Sequence, residues 1–352
     1  MEFKTIMYVL SFKNYAKELI NMRYYCANCS QVVDLIKLPR CPKCGNVYEL
    51  VYEYGHEFIK KISQLITHWK YLDFMPIDEH NIQKIFTMGE GGTPLLQFDQ
   101  LKTQSNSTLY FKCEFQNPTG SFKDRASALE VTLAQKHDEI VVATTGNMGA
   151  SLAAYSALVG IPCTIFMPKG IHNAKIEQMK MYDANIKTVD GDYTKSMIIA
   201  EQYYLDHPNS YLAGDYGVRI EGTKSIGFEI CDQLKWEVPD YIVVPVGNGT
   251  LLYAIYKAFD NLYHTGITHK TPKIIGVKSE DPKNTIASAI ACPKPSLDFL
   301  INENAEQIIT VSDDEIMQAR VILAKNGLFV EPGGAAAYAG YRKLNIEGII
   351  IV

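Results

Sequence analysis

The sequence predicts an α/β protein of two doubly wound lobes, preceded by a small cysteine-bearing module. Three observations carry this expectation. From about residue 107 onward, short runs rich in β-branched residues alternate with helical stretches, the pattern of parallel sheets covered on both faces. The alternation falls into two series, the second beginning near Arg219. Ahead of both, Cys26, Cys29, Cys41 and Cys44 form two close Cys-x-x-Cys pairs. The 352 residues suit roughly two domains at about 150 residues each. The expected division is an N-terminal segment over 1–55 with the cysteine module at 26–50, a large domain from 56–124 and 214–352, and a smaller one over 125–213.

Taken in order, the first 25 residues mix charge and aromatics and carry no element assignment. Residues 56–75 place Phe58, Ile62, Leu65, Ile66 and Trp69 on one helical face. Ile140–Ala143 is a buried strand, and Met148–Leu158 is a helix stopped by Gly160 and Pro162. The strand Cys163–Met167 follows, then a helix from about Asn173 to Tyr182, and the strand Asn185–Val189. A helix from about Thr194 to Leu205 and the strand Ser210–Leu212 complete the first series. The second comprises the helix Arg219–Leu234, the strand Tyr241–Val246, the helix Leu251–Leu262 and the strand Lys273–Val277. The helix Asp313–Lys325 has Ser312 as N-cap, Glu315 completing a capping box, and Gly327 past its end. Gly333–Leu344 is a final helix and Ile349–Val352 a final strand. A ligand site is expected in a cleft between two such lobes.

Composition narrows the function classes. Lys and Arg total 34 against 39 Asp and Glu, a net charge of −5, whereas a nucleic-acid protein carries a basic surplus. With 47% hydrophobic and 21% charged residues, there is material for a core and no case for global disorder. No apolar run approaches the roughly 20 residues that span a bilayer. The stretch Ile6–Phe12 is short for a secretory segment and lacks a small-residue cleavage site. A soluble cytoplasmic protein, with neither nucleic-acid nor membrane partner, is expected. Of eight cysteines, Cys113, Cys163, Cys231 and Cys292 lie scattered in apolar segments and read as buried hydrophobes.

The two cysteine pairs can present four thiolates tetrahedrally to Zn²⁺, a closed structural site. A reduced surface cluster or a redox pair are the alternatives. Downstream, Asn117-Pro-Thr-Gly-Ser-Phe-Lys123-Asp-Arg125 reads as a tight loop entering a helix, with Ser121 and Asp124 as a capping box. Lys123 then sits in the first turn, where the helix dipole disfavours a cation and eases its deprotonation, as a Schiff-base amine requires. A solvated first-turn lysine is the plain alternative. Thr144-Thr-Gly-Asn147 and Val246-Gly-Asn-Gly-Thr250 each leave a strand and open a helix, where backbone N–H groups receive anions. Neither fits a P-loop or Rossmann fingerprint. A lysine amine, a side-chain amide and a phosphate cup are together what pyridoxal phosphate requires.

Gly89-Glu-Gly-Gly-Thr-Pro-Leu95, Asn117–Arg125, Thr145-Gly-Asn147, Glu221-Gly-Thr-Lys224, Pro245–Gly249 and Glu331-Pro332 occur in this order, and the chain thereby resembles the threonine synthases. The resemblance runs from about residue 86 to the C-terminus, with a zinc ribbon ahead of it as in many family members. It implies the tryptophan synthase β-like fold of fold type II pyridoxal phosphate enzymes. It further implies that Lys123 carries the cofactor and that Asn147 bonds the pyridine 3′-oxygen. Gly247, Asn248, Gly249 and Thr250 would hold the cofactor phosphate. Thr144 and Thr145 would grip the substrate carboxylate, with Arg219 and Asn248 near the substrate phosphate. The implied reaction converts O-phospho-L-homoserine and water to L-threonine and phosphate, and the implied assembly is a homodimer.

Departures from the family pattern keep other reactions in view. Met148 stands where a threonine is common, Ala213-Gly214 replaces an Asn-Ser pair, and Glu331-Pro-Gly-Gly-Ala335 lacks the usual serine. Each lost hydrogen bond to a charged group is worth about 1.5–3 kcal/mol, though the Gly214 N–H can replace one. The family's strand also continues into a Thr-Gly-x-Gly turn that meets the pyridine nitrogen, one step beyond Val352; either that turn lies outside this sequence or another residue takes its role. Cysteate synthase (phosphoserine plus sulfite), a threonine dehydratase-like β-elimination, and a binding protein that keeps only the fold are the alternatives.

Overall fold

The computed structural model describes residues 23–34, 36–52, 66–77, 84–103, 108–171, 174–344 and 346–351, with the side chains of 350 and 351 outside the description. The chain divides into two compact units, one joining Met1–Glu90 to Lys123–Gly222 and the other Gly91–Phe122 to Thr223–Val352.

Among the described residues the first unit contains two sheets. Strands β1 (Arg23–Cys26), β2 (Gln31–Val33) and β3 (Glu49–Val51) form an antiparallel sheet in the order β2-β1-β3. Tyr24 pairs with Val33 on one side and Leu50 on the other. The first cysteine pair therefore lies at the β1–β2 turn and the second in the loop ahead of β3. The other sheet is fully parallel, with β6 (Glu139–Ala143), β7 (Cys163–Pro168), β8 (Asn185–Val189) and β9 (Ser210–Leu212) in the order β8-β7-β6-β9. All six residues of β7 are buried, which is why its sequence is a continuous apolar run rather than an alternating one. Helices α1 (Lys123–Leu133), α2 (Asn147–Val159), α3 (Ala174–Met181), α4 (Tyr193–Asp206) and α5 (Gly217–Thr223) complete it.

The second unit has a six-stranded sheet of β4 (Leu95–Gln97), β5 (Leu109–Lys112), β10 (Tyr241–Pro245), β11 (Lys273–Ser279), β12 (Gln307–Val311) and β13 (Gly348–Ile351). Its order is β12-β11-β10-β13-β5-β4, parallel except for the edge strand β4. Helices α6 (Ser225–Gln233), α7 (Thr250–His264), α8 (Asp298–Asn304), α9 (Asp313–Lys325) and α10 (Pro332–Tyr341) accompany it. The small residues of α10 allow close contact with the sheet: a Cβ at Gly340 would lie 2.4 Å from Val277.

The α/β architecture of largely parallel sheets agrees with the sequence expectation, and several details differ. The single helix expected over Arg219–Leu234 is two, α5 and α6, breaking at Lys224, where the chain passes from one unit to the other. Gly222 weakens the helix there and packs 2.7 Å (ideal Cβ) from the Ala126 Cα. Of the helix expected over 56–75, residues 56–65, with Phe58, Ile62 and Leu65, lie outside the described residues. The described part holds a 3₁₀ segment, His68–Phe74, and Ile66 is exposed rather than on a buried face. Trp69, Met75, Ile77 and Ile85 pack in one cluster with Leu129 of α1 and Leu152 of α2. This burial groups residues 66–90 with the first unit, where the sequence reading assigned them to the large domain. Cys113, Cys163 and Cys231 are buried as expected, while Cys292 is only half-buried.

Candidate active site

The four thiols of Cys26, Cys29, Cys41 and Cys44 lie within 4.8 Å of one another. Tight knuckle geometry gathers them: the Gly45 N–H donates to the Cys41 carbonyl at 2.8 Å, and Gly45 takes φ +76°. A tetrahedral Zn²⁺ with bonds of about 2.3 Å requires sulfurs roughly 3.8 Å apart, and Cys26 and Cys44 stand 3.6 Å apart. The Asn46 backbone N–H holds the Cys44 thiol down to about 6, whereas burial pushes Cys26 up to about 12. These donors fit a closed structural metal site.

Lys123 opens α1, a helix whose next nine residues, Asp124–Thr132, are all buried. Its amine stays partly exposed, with Nζ 4.0 Å from Asp215 Oδ1. Thr144, Thr145 and Asn147 occupy the turn from β6 into α2, with Asn147 the first helical residue and Gly146 its N-cap. Gly149 leaves room early in α2, where a Cβ would lie 2.5 Å from Met179 Cε and 2.7 Å from Thr144 Cγ2. Met148 points into the core cluster with Leu152 and Met179, so its replacement of threonine fills the interior.

Arg219, on α5, is fully buried. Its Nη2 donates to Glu130 Oε2 of α1 and to Ser127 Oγ at 3.4 Å. Glu130 also accepts from the Gly214 N–H at 3.3 Å, so that N–H is already engaged. Burial raises the Glu130 carboxyl above the usual range even against the lowering effect of Arg219. A guanidinium and a backbone N–H converging on one buried carboxylate make an anion site filled by the protein's own side chain. Sequence reasoning passed over Glu130 and Asp215. A charge inside the apolar run Ala126–Val131 was the available signal for Glu130; Asp215 directly follows the noted Ala213-Gly214 pair.

In the second unit, Gly247, Asn248, Gly249 and Thr250 link β10 to α7. Gly249 takes φ +97° as N-cap, and a Cβ there would lie 2.6 Å from Ile301. A Cβ at Gly247 would lie 2.5 Å from the Ala289 carbonyl oxygen. The loop thus presents backbone rather than side chains at the start of a 15-residue helix, the donor set a phosphate requires. Asn248 Oδ1 accepts from the Ser296 N–H at 3.1 Å and the Cys292 thiol at 3.2 Å, both on the segment that follows β11. Each taken by itself, the partly exposed Lys123 amine suits an aldehyde cofactor and the glycine loop suits a phosphate. A cavity of about 290 Å³ beside this loop is lined by Val246, Lys278, Ser279, Cys292 and Asp298 among others, and by none of the expected cofactor residues. Among the described residues no helix is long and apolar enough to cross a membrane.

Residues 86–350 match the family described as pyridoxal-phosphate dependent enzyme. The threonine synthase of Methanocaldococcus jannaschii is 36% identical over 360 residues, spanning 92% of this chain and 88% of that protein. That of Methanosarcina acetivorans is 34% identical, spanning 88% and 83%. Among solved structures, maize serine racemase has a TM-score of 0.64 at 21% identity, covering 74% of this chain and 86% of that one. Isoform 3 of O-acetyl serine sulfhydrylase from Entamoeba histolytica has a TM-score of 0.64 at 22% identity, covering 74% and 85%; at such identities both bear on the fold alone. Taken with the lysine and the glycine cup, these likenesses make the chain a pyridoxal phosphate-dependent enzyme of fold type II, belonging to the threonine synthase family.

Proposed function

We propose that the chain converts O-phospho-L-homoserine and water to L-threonine and phosphate, with pyridoxal phosphate on Lys123 and Zn²⁺ in the four-cysteine centre. Lys123 carries this reading: its amine stays partly accessible at the head of an otherwise buried helix, in a chain 36% identical to a threonine synthase over nearly its whole length. The bound cofactor supplies an electron sink for charge developing at the substrate α-carbon. The protein's own groups do the rest. Lys123 Nζ, once the substrate amine has displaced it from the cofactor, would take the α-proton as general base, Thr144 and Thr145 would bind the substrate carboxylate, and Asn147 and the Gly247–Thr250 loop would orient the ring and its phosphate. The phosphate leaves from the γ-carbon, and water adds at the β-carbon. We further propose a homodimer, which mass measurement in solution tests.

One observation favours a second reading. Arg219 Nη2 and the Gly214 N–H already hold the buried Glu130 carboxyl, where the first reading expects the substrate phosphate. This suits a β-elimination from an unphosphorylated hydroxy amino acid. The holoenzyme assayed with O-phospho-L-homoserine, O-phosphoserine plus sulfite, and L-threonine separates the readings. The first predicts threonine and phosphate from phosphohomoserine alone; 2-oxobutanoate and ammonia from L-threonine, with phosphohomoserine inert, would establish the second. Lys123→Ala is expected to abolish turnover in either case and to remove the long-wavelength absorbance of the lysine-bound cofactor.

A further inference from the structure

The segment carrying Asp215 lies against the cysteine-bearing sheet. Arg40, bridged to Val47 across the cysteine loop, donates through Nε to Glu201 Oε1 at 2.6 Å, and its guanidinium stands 5.4 Å from the Tyr216 ring centroid. The Tyr216 hydroxyl donates to the same Glu201 oxygen at 2.9 Å. Gly217 meets the sheet so closely that a Cβ would lie 2.7 Å from the Tyr48 carbonyl oxygen. On the other side, the Tyr216 N–H donates to the Gly214 carbonyl at 2.7 Å, and the Tyr216 carbonyl accepts the Arg219 N–H at 3.0 Å. Asp215 is thereby the middle of a turn clamped at both ends, 4.0 Å from the Lys123 amine. Arg40 directly precedes Cys41, and Tyr48 packs in one cluster with Cys26 and Cys41. The residues that shape the cysteine centre are those that meet the Asp215 turn.

We propose that the cysteine-bearing sheet braces the active site: Arg40 and Tyr216 are positioning residues that hold the Asp215 carboxylate against the Lys123 amine. A group that must meet a reacting amine works only when its own supports are fixed. A cation stacked on an aromatic ring and sharing one carboxylate with that ring's hydroxyl is such a support. The inference goes beyond the reaction proposed above and rests only on Lys123 as the cofactor-bearing residue.

The test is a double-mutant cycle on the full-length holoenzyme with Arg40→Gln, Asp215→Asn and the pair. Visible circular dichroism of the bound cofactor and kcat for phosphate release are the readouts, with far-ultraviolet dichroism and cofactor stoichiometry confirming folded, loaded protein. Asp215→Asn is expected to change the cofactor band and lower kcat about tenfold. Arg40→Gln is expected to change the band in the same sense, and the double variant to match Asp215→Asn within about twofold. Should Arg40→Gln fail to load cofactor, Tyr216→Phe, which removes only the hydroxyl, replaces it in the cycle. A wild-type band and kcat in Arg40→Gln, or effects that multiply in the double variant, would overturn the brace. If the wild type releases no phosphate, the reaction assignment fails while the dichroism cycle still decides this one.

Discussion

Three donors converge on the buried Glu90 carboxylate, beside an imidazole. His68 Nε2 stands 3.1 Å away, the Tyr155 hydroxyl donates at 2.7 Å, the Met88 N–H at 2.9 Å and the Thr87 hydroxyl at 3.1 Å. Burial alone would raise this carboxyl, but the hydrogen bond and charge of His68 and the Tyr155 hydroxyl outweigh it, and the group sits below the usual range. The folded chain therefore binds this proton less tightly than the unfolded one. The stability it contributes is complete above the ordinary glutamate pKa of about 4.3 and is lost as pH falls through the depressed value. Glu90→Gln is expected to cost about 3–5 kcal/mol, by leaving the network half-satisfied, and to flatten the acid limb of the stability profile. Trp69, whose ring centroid lies 4.4 Å from that of His68, gives the fluorescence signal; a variant as stable as wild type at neutral pH would contradict this. At this scale, Lys123 and the four cysteines were legible in the sequence because their chemistry is local. Glu130, Asp215 and the Tyr155 and His68 neighbours of Glu90 were not, because each meets a residue far along the chain that only the packing brings near.

The elements were legible where periodicity and capping agree. Ser312 Oγ accepts from the Glu315 N–H at 3.2 Å, and the Glu315 carboxylate accepts from the Ser312 N–H at 2.8 Å, as the spacing indicated. Ser312→Ala is expected to cost about 1 kcal/mol, read as a lower thermal midpoint with catalysis intact. Short elements escaped notice: α8 has seven residues and β4 three, too few for a period to show. At the head of α7 the constraint is steric. Gly249→Ala forces a Cβ into the left-handed region, at about 1–2 kcal/mol, and into Ile301. Weaker cofactor binding is expected in a pyridoxal phosphate titration, and unchanged affinity would remove this loop from the cofactor site. Cys44→Ser is expected to release the metal from the cysteine centre, read as less than one zinc per chain by elemental analysis.

For the whole molecule, alternating βα units foretold parallel sheets and two lobes, yet they could not give the strand order. Strand β13 sits between β10 and β5, a pairing across most of the chain that no local pattern encodes. The boundary near residue 90 was equally hidden, since it follows from Trp69 and Ile85 joining the core beside α1 and α2. The central claim concerns what such a scaffold does at Lys123, and isotope tracing in heavy-oxygen water reads it directly. Elimination of phosphate from the γ-carbon followed by water addition predicts L-threonine labelled in its hydroxyl and phosphate that carries no label. Labelled phosphate with homoserine, the mark of phosphorus–oxygen cleavage, or no reaction of phosphohomoserine at all, would contradict the account.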